Sequence, residues 1–216
     1  MESNKQLSEK ESLELITSMI NKAKQSYHES GIGPIMWGSV ITICALVTWA
    51  RFKFGFTLPF DIWLLSLLAI IPQIIISIRE NKAKKARTYN DIAMDYTWMA
   101  FGISIFLLIH ANAGISRGFE KGFGNYFQSS GFRFYDYTTS LFLMIYGIPT
   151  FITGGIMKFR PMILGGILCW AFSIVAVYTP ALTDLLLMAA AAFFAWFVPG
   201  IIIRNRYLKL RKEGNV

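Results

Sequence analysis

Charge is scarce in this chain. Asp, Glu, Lys and Arg make up 16% of its 216 residues, against about 25% in an ordinary soluble domain, and none of them stands in the middle of a long apolar run. The first shortage excludes a fully water-exposed globular surface. The second argues against a proton- or ion-coupled mechanism, because an intramembrane charge is the usual mark of one, and it leaves no lysine for a retinal-type Schiff base. Cysteine is equally rare. Cys44 and Cys169 lie in apolar segments with no other ligand type beside them, so neither a disulfide framework nor a zinc site is indicated, and both read as small buried hydrophobes. The two histidines, His28 and His110, cannot supply a bis-histidine haem from within the spans, and they lack the neighbouring carboxylates or thiols of a metal site. No G-x-S-x-G, H-E-x-x-H or P-loop pattern occurs. No catalytic residue, metal or cofactor is expected, and an enzyme is the least supported class.

What the chain has in excess is apolar surface: 54% of its residues are hydrophobic, including 18 Phe, 9 Tyr and 6 Trp. They gather in six stretches, near 35–54, 60–78, 92–111, 138–157, 162–178 and 182–203. As helices these are about 24 to 33 Å long, enough to cross the hydrocarbon once flanking Arg and Lys snorkel. No period-two alternation marks a transmembrane β-barrel. The expected fold is all-α: a polytopic six-helix transmembrane bundle over 32–203, an amphipathic cytoplasmic helix over 1–31 before it, and a basic cytoplasmic tail over 204–216 after it.

Orientation follows from positive charge. With the N-terminus in the cytoplasm, the inner segments hold Lys5, Lys10, Lys22, Lys24, Arg79, Lys82, Lys84, Lys85, Arg87, Lys158, Arg160, Arg204, Arg206, Lys209, Arg211 and Lys212, sixteen of the 21 basic residues. The outer segments hold only Arg51, Lys53, Arg117, Lys121 and Arg133. Both termini are therefore expected in the cytoplasm. The formal net charge of +8 is spread over the flanks of spans and makes no single basic face. Direct nucleic-acid binding is not expected, and membrane lipid is the natural partner.

Residues 1–30 are no cleavable signal peptide, since Glu2, Glu9, Glu11, Glu14 and Glu29 interrupt any apolar core. Ser8 and Glu11 have capping-box spacing, Gly31 is a natural stop, and Leu13, Ile16, Met19, Ile20, Ala23 and Tyr27 recur on one helical face. Such a helix lies on the inner membrane surface or under the bundle, or docks a soluble protein. In the second case Leu13, Ile16, Met19 and Ile20 are the contact residues.

The first and fifth spans open alike, with Pro34 and Gly38 beside Pro161 and Gly165. Each is followed by an Asp near the next helix start (Asp61, Asp184), a late proline (Pro72, Pro199), an isoleucine triplet and an arginine (Arg79, Arg204). A hairpin repeat over 34–79 and 161–204 accounts for this, as does the frequent use of Pro and Gly in membrane helices.

Asp61, Asp91, Asp95, Asp136 and Asp184 all fall near helix starts, where capping is the expected role. Pro72, Pro149 and Pro199 interrupt the second, fourth and sixth spans about 8 to 13 Å from their basic ends. Three kinks at similar depth would widen an inner cavity, and Gln73, Tyr146, Pro149, Thr150 and Thr153 are its candidate lining. The stretch from Tyr146 to Gly155 is the expected bent or discontinuous helix, and close helix packing at its glycines is the alternative. Between the third and fourth spans, 112–137 reads as a long outer loop rich in Gly and aromatics.

With these residues in view, the chain resembles a group of small six-span inner-membrane proteins from bacteria of the Bacteroides and Flavobacterium lineage. The resemblance rests on Glu11, Ser12, Leu13, Glu14, Leu15 and Ile16; on Ile35, Met36, Trp37 and Gly38; on Gly154, Gly155, Ile156, Met157, Lys158 and Phe159; on Gly165, Gly166, Ile167, Leu168, Cys169 and Trp170; and on Pro199 with Gly200. It implies a bacterial inner-membrane location and no particular activity. It also implies company with winged-helix regulators, and hence a regulatory or sensory role. Two functional readings follow: a regulatory, sensory or scaffold protein contacting a cytoplasmic partner, and a transporter or channel for a neutral or hydrophobic small molecule. Either is compatible with a homo-oligomer.

Overall fold

The computed structural model describes residues 30–83, 88–118 and 134–212, with Ser8, Ser12 and Leu13 besides. Among them no strand occurs. The elements are α1 (Ile32–Phe54), α2 (Leu64–Leu68), α3 (Ile70–Ala83), α4 (Tyr89–Gly118), a 3-10 turn (Phe134–Tyr137), α5 (Thr138–Ile156), α6 (Arg160–Ala176), α7 (Ala181–Ala192), a π turn (Phe193–Phe197) and α8 (Val198–Lys212). Five stretches are long and apolar enough to cross a membrane: Ile32–Phe54, Leu64–Lys82, Tyr89–Ile115, Thr138–Ile156 and Ala181–Lys212. The protein is thus an all-helical, multi-pass membrane protein. The helix on the fifth apolar run, α6, has 17 residues and is the shorter one.

Two boundaries differ from the apolar runs, because apolarity marks the hydrocarbon rather than the end of a helix. Residues 112–118, read as loop, continue α4, and the Asn112 carboxamide ties this extension to α5 by donating to Thr138 Oγ1 at 3.2 Å. Residues 204–212, read as tail, continue α8. The N-terminal helix expected over 1–31 lies outside the described residues except for Ser8, Ser12, Leu13, Ser30 and Gly31.

Small residues set the packing of the centre. The two serines Ser140 and Ser173 exchange hydrogen bonds between α5 and α6, each hydroxyl donating to the other's carbonyl at 2.8 Å. Further along, Gly147 sits against the Trp170 indole, a Cβ on Gly166 would lie 2.7 Å from that of Phe151, and one on Gly154 would lie 2.6 Å from Ile163 N. These pairings run in opposite senses along the two helices, so α6 lies antiparallel to α5 from Gly154 back to Ser140. The connecting turn is tight: Lys158 takes a left-handed φ of 51°, and Phe159 N–H closes on Gly154 O at 2.8 Å.

The last span lies between α1 and α6. Pro199 has no N–H for the carbonyl of Ala195, and the chain answers with the π turn, in which Val198 N–H reaches Phe193 O. A Cβ on Gly38 would lie 2.5 Å from Phe197 N, and one on Gly165 would lie 2.7 Å from Ala195 Cα. The glycines of the two Pro-x-x-x-Gly openings therefore meet the same turn from two sides. Pro72 acts similarly in the second span, where the helix is interrupted at Ala69 before α3 resumes.

One end of the bundle gathers basic residues. Arg204 donates to Ser30 O at 3.4 Å, Ser30 N and Oγ both donate to Glu80, and Arg206 stacks 5.1 Å over Phe159 in the α5–α6 turn. Gly31, with φ of +72°, lets the chain enter α1 beside Gly200 and Arg204. Arg51 and Lys53 close α1 at the opposite end.

The remaining helices, α2–α3 and α4, stand apart from this centre. Among described residues of α2–α3 only the intervening Ala69 is buried, and in α4 only Asp91 and Met94 are. Helix α3 is held to α1 by the Trp37 indole N–H donating to Gln73 Oε1 at 3.0 Å. Helix α4 leans on α5 and on the π turn through aromatic rings.

Candidate ligand cavity

Between the loose helices and the packed centre lies a cavity of about 1450 Å³, larger than the roughly 300–1,000 Å³ of most ligand sites. Helix α1 supplies Gly33, Trp37, Ile41 and Thr48 to its wall, and α2–α3 supply Leu67, Ile70, Gln73, Ser77 and Glu80. Helix α4 presents one face, Asp95, Trp98, Gly102, Ile105, Ile109 and Asn112, spaced alternately three and four residues apart. Phe142, Tyr146 and Thr153 of α5, Leu185 and Met188 of α7, and Trp196 of the π turn complete the inner wall. The cavity reaches from Gly31 and Glu80 at the basic end to Asp61, Asn112 and Asp136 at the other. Several wall residues, including Leu64, Leu67, Ile70 and Ile109, are exposed, and the cavity is partly open.

Its middle is aromatic. Tyr146 and Trp196 pack at a tilt of 37° with centroids 4.8 Å apart, and Phe101 meets both, edge-on to Trp196 at 6.0 Å and at 5.8 Å from Tyr146. Trp98 joins at 6.3 Å from Trp196, and Phe142 at 6.2 Å from Tyr146. The π turn positions Trp196, whose indole N–H donates to Thr150 Oγ1 at 2.7 Å; that hydroxyl in turn donates to Tyr146 O at 2.7 Å. The Trp196 edge is thereby satisfied internally; its ring is 3% exposed and belongs to the packed centre, and Trp98, Phe101 and Phe142 are the more open rings of the wall.

The polar groups lie at the two ends. The wall includes four carboxylates, Asp61, Glu80, Asp95 and Asp136, and among the described residues it includes no Lys, Arg or His. Among the described residues of the wall, Thr153, 1% exposed, has a buried hydroxyl with no hydrogen bond. Among the described residues no group of three His, Cys, Asp or Glu is placed to hold a metal.

Of the residues read from the sequence as lining, the structure brings Gln73, Tyr146 and Thr153 to the cavity wall. Pro149 and Thr150 are fully buried and stand outside the wall, Thr150 as the link between Trp196 and the α5 backbone. Helix α5 runs unbroken through Pro149, so the irregular helix is the last span at its π turn. Ile16, Met19 and Ile20 lie outside the described residues, and Leu13 is 69% exposed.

The carboxylates divide. Asp91 accepts from Thr88 N and Thr88 Oγ1 at 2.9 and 2.6 Å while its own N–H bonds the threonine, a capping box. Asp61 accepts from Trp63 N at 3.0 Å. Asp184 is not a cap: no side chain caps α7, and its own N–H is taken by Pro180 O. Its carboxylate is fully buried, with one oxygen accepting from the Thr179 hydroxyl and the other without a partner. Sequence reasoning missed this residue as an occluded acid because Thr179 and Pro180, in the connection before α7, turn it inward. It also missed Trp98, Phe101 and Trp196 as a cluster. The three-four spacing from Asp95 to Asn112 was the available signal for the first two.

No protein-family model matches the chain, and no curated protein and no solved structure matches it.

Proposed function

We propose that this chain is a six-span inner-membrane protein of a bacterium that accommodates a hydrophobic small molecule in its central cavity, as a carrier or transporter. The observation that supports this reading is the aromatic cavity itself, set between a packed centre and two loosely held helices. A void of that size in hydrocarbon is filled by something, and helices with few contacts can move to admit it. The sixth span in this reading is α6. It lies antiparallel along α5 with Ser173 at the level of Ser140, so it covers the depth α5 covers, and 17 residues lie at the lower limit for a span. The positive-inside rule makes the end with Arg204 and Arg206 cytoplasmic.

Filling the space tests the proposal. Purified protein in phosphatidylcholine nanodiscs is titrated with a short brominated alkane, and tryptophan emission is followed. A saturable decrease near one equivalent is expected, because Trp98 and Trp196 border the cavity. The decrease should weaken in Ile105→Trp, whose larger ring narrows the cavity at the α4 wall. Quenching that never saturates and is unchanged in Ile105→Trp would count against an occupied cavity.

A second reading, contact of the N-terminal segment with a cytoplasmic regulator, draws on the 69% exposure of Leu13. Photo-crosslinking from Leu13 in cells should then trap a protein. Capture of lipid or of this chain alone argues against it.

A further inference from the structure

We infer that the turn between α5 and α6 is a binding site for the headgroup phosphate of an anionic phospholipid. The site is separate from the cavity and does not depend on it. Three observations at the basic end of the bundle carry it.

The first is an arrangement of bases around one ring. Phe159, 4% exposed, turns inward against Met162 and Ile203, while Lys158 and Arg160 on either side of it are exposed. Arg206 comes across from α8 and lays its guanidinium 5.1 Å over the Phe159 ring. Stacking orients the plane of a guanidinium and leaves its N–H edge for an oxyanion. One oriented fork beside two flexible cations suits a phosphate, which accepts both bidentate donors and point charges. The end of α6 is not the source of this charge, because Phe159 O already takes the Met162 and Ile163 amides at 3.1 and 3.4 Å, and Pro161 has no amide hydrogen.

The second is that these charges are left over. Among the described residues, none of the heads of Lys158, Arg160 and Arg206 is in an ion pair or a hydrogen bond, whereas Arg204 on the same helix as Arg206 donates to Ser30 O. Lys158 also holds its place at a cost, since its φ of 51° lies in the left-handed region where glycine is at ease and a lysine is not. Positive residues at this end are expected from orientation alone. Orientation asks only for charge on one side of the membrane, and a base in relaxed backbone would serve it equally well.

The third is depth. The apolar helix α5 ends at Ile156 and α6 begins at Arg160, so the turn stands just past the end of a membrane-spanning segment. Long basic side chains at that level reach the lipid phosphates while their stems stay on apolar surface. The bilayer holds such phosphates at the turn at high local concentration, which favours a lipid over a soluble anion as their source.

The test uses the full chain in dodecyl maltoside, titrated by calorimetry with dioctanoyl phosphatidylglycerol, dioctanoyl phosphatidylcholine and glycerol 3-phosphate. Saturable binding of phosphatidylglycerol at least about tenfold tighter than of phosphatidylcholine is expected. Arg206→Gln should lower that affinity about tenfold, and Arg206→Lys, which keeps the charge without the planar fork, should lower it less. Lys158→Gly separates binding from folding. It relieves the φ of 51°, so the protein should unfold at no lower temperature, yet it should bind phosphatidylglycerol several-fold more weakly. Arg211→Gln removes the same charge about 140° round α8 from Arg206 and should leave the affinity within about twofold. Equal affinity for the two lipids, or an equal loss in Arg211→Gln and Arg206→Gln, would show diffuse attraction to a basic surface and overturns the inference. Unchanged affinity in Lys158→Gly overturns it as well. Glycerol 3-phosphate bound as tightly as the lipid makes the turn a site for a soluble anion and overturns the lipid assignment.

Discussion

The packed centre and the two outlying helices are built from the same kinds of residue and behave as different materials. In α1, α5, α6 and the last span, glycines bring backbones together, and serine or threonine hydroxyls bond across: Ser140 with Ser173, Thr42 with Ala189 O. In α2–α3 and α4 the side chains are as apolar, but one face of these helices borders the cavity and almost nothing is buried. Apolarity therefore places a helix in the membrane without deciding what it touches. Lipid tails are as good a neighbour for leucine as another helix is, so contact must come from small residues and shared hydrogen bonds.

The contrast can be broken most sharply at glycine. Gly38→Val forces a side chain into the backbone of Phe197, 2.5 Å from where its Cβ would be, and neither backbone can yield. Loss of about 3 kcal/mol, the upper end of overpacking costs, is expected, seen as aggregation on size exclusion. The same experiment on α4 gives the opposite outcome. A Cβ on Gly102 meets nothing within 4 Å, so Gly102→Leu should elute as the unaltered protein does, while losing probe binding because Gly102 is in the cavity wall.

Next in size are the buried hydroxyls. Ser140→Ala and Ser173→Ala should each lower stability by about 1 kcal/mol, the range of hydrogen bonds between membrane helices. The double variant should cost less than the sum, since each residue serves the other; thermal unfolding in detergent reads both. Gln73→Leu removes the acceptor of Trp37 but sits on the loose side. Its expected cost is smaller, about 0.5 kcal/mol, and it should show more clearly as a shift in tryptophan emission than in Tm. Smallest of all is Phe106→Ala, on a residue 67% exposed in α4, which should change stability by less than about 0.5 kcal/mol. A large loss there would mean that another protein surface, such as a second copy, covers α4.

The apolar runs foretold an all-helical, multi-pass membrane protein because length and hydropathy are one-dimensional properties. What they could not show is the difference between the two groups of helices, which depends on which glycines meet which backbones. Gly102 and Gly165 look alike in a string of residues; a Cβ on the first would meet nothing within 4 Å and one on the second would lie 2.7 Å from Ala195 Cα. The cavity was legible in part. Gln73, Tyr146 and Thr153 stood out as polar neighbours of prolines, and they lie in the wall. Pro149 and Thr150 stood out for the same reason and are instead enclosed, because the widened turn at Phe193–Phe197 swings Trp196 onto Thr150. Asp184 was read as a cap from its position alone, and a hydroxyl five residues earlier was enough to bury it.

The π turn has a further consequence, one of phase. Relative to a regular α-helix it holds one extra residue, and each residue turns the chain by about 100°. Everything beyond it is therefore out of step with everything before it. Ahead of the turn, Met188 faces the cavity; beyond it, Gly200 meets Ile35 on α1. Deleting one residue from 193–195 would restore an even helix and keep its length almost unchanged, yet the two halves could no longer face their partners together. The chain would have to choose between the cavity face of α7 and the seam that joins α8 to α1.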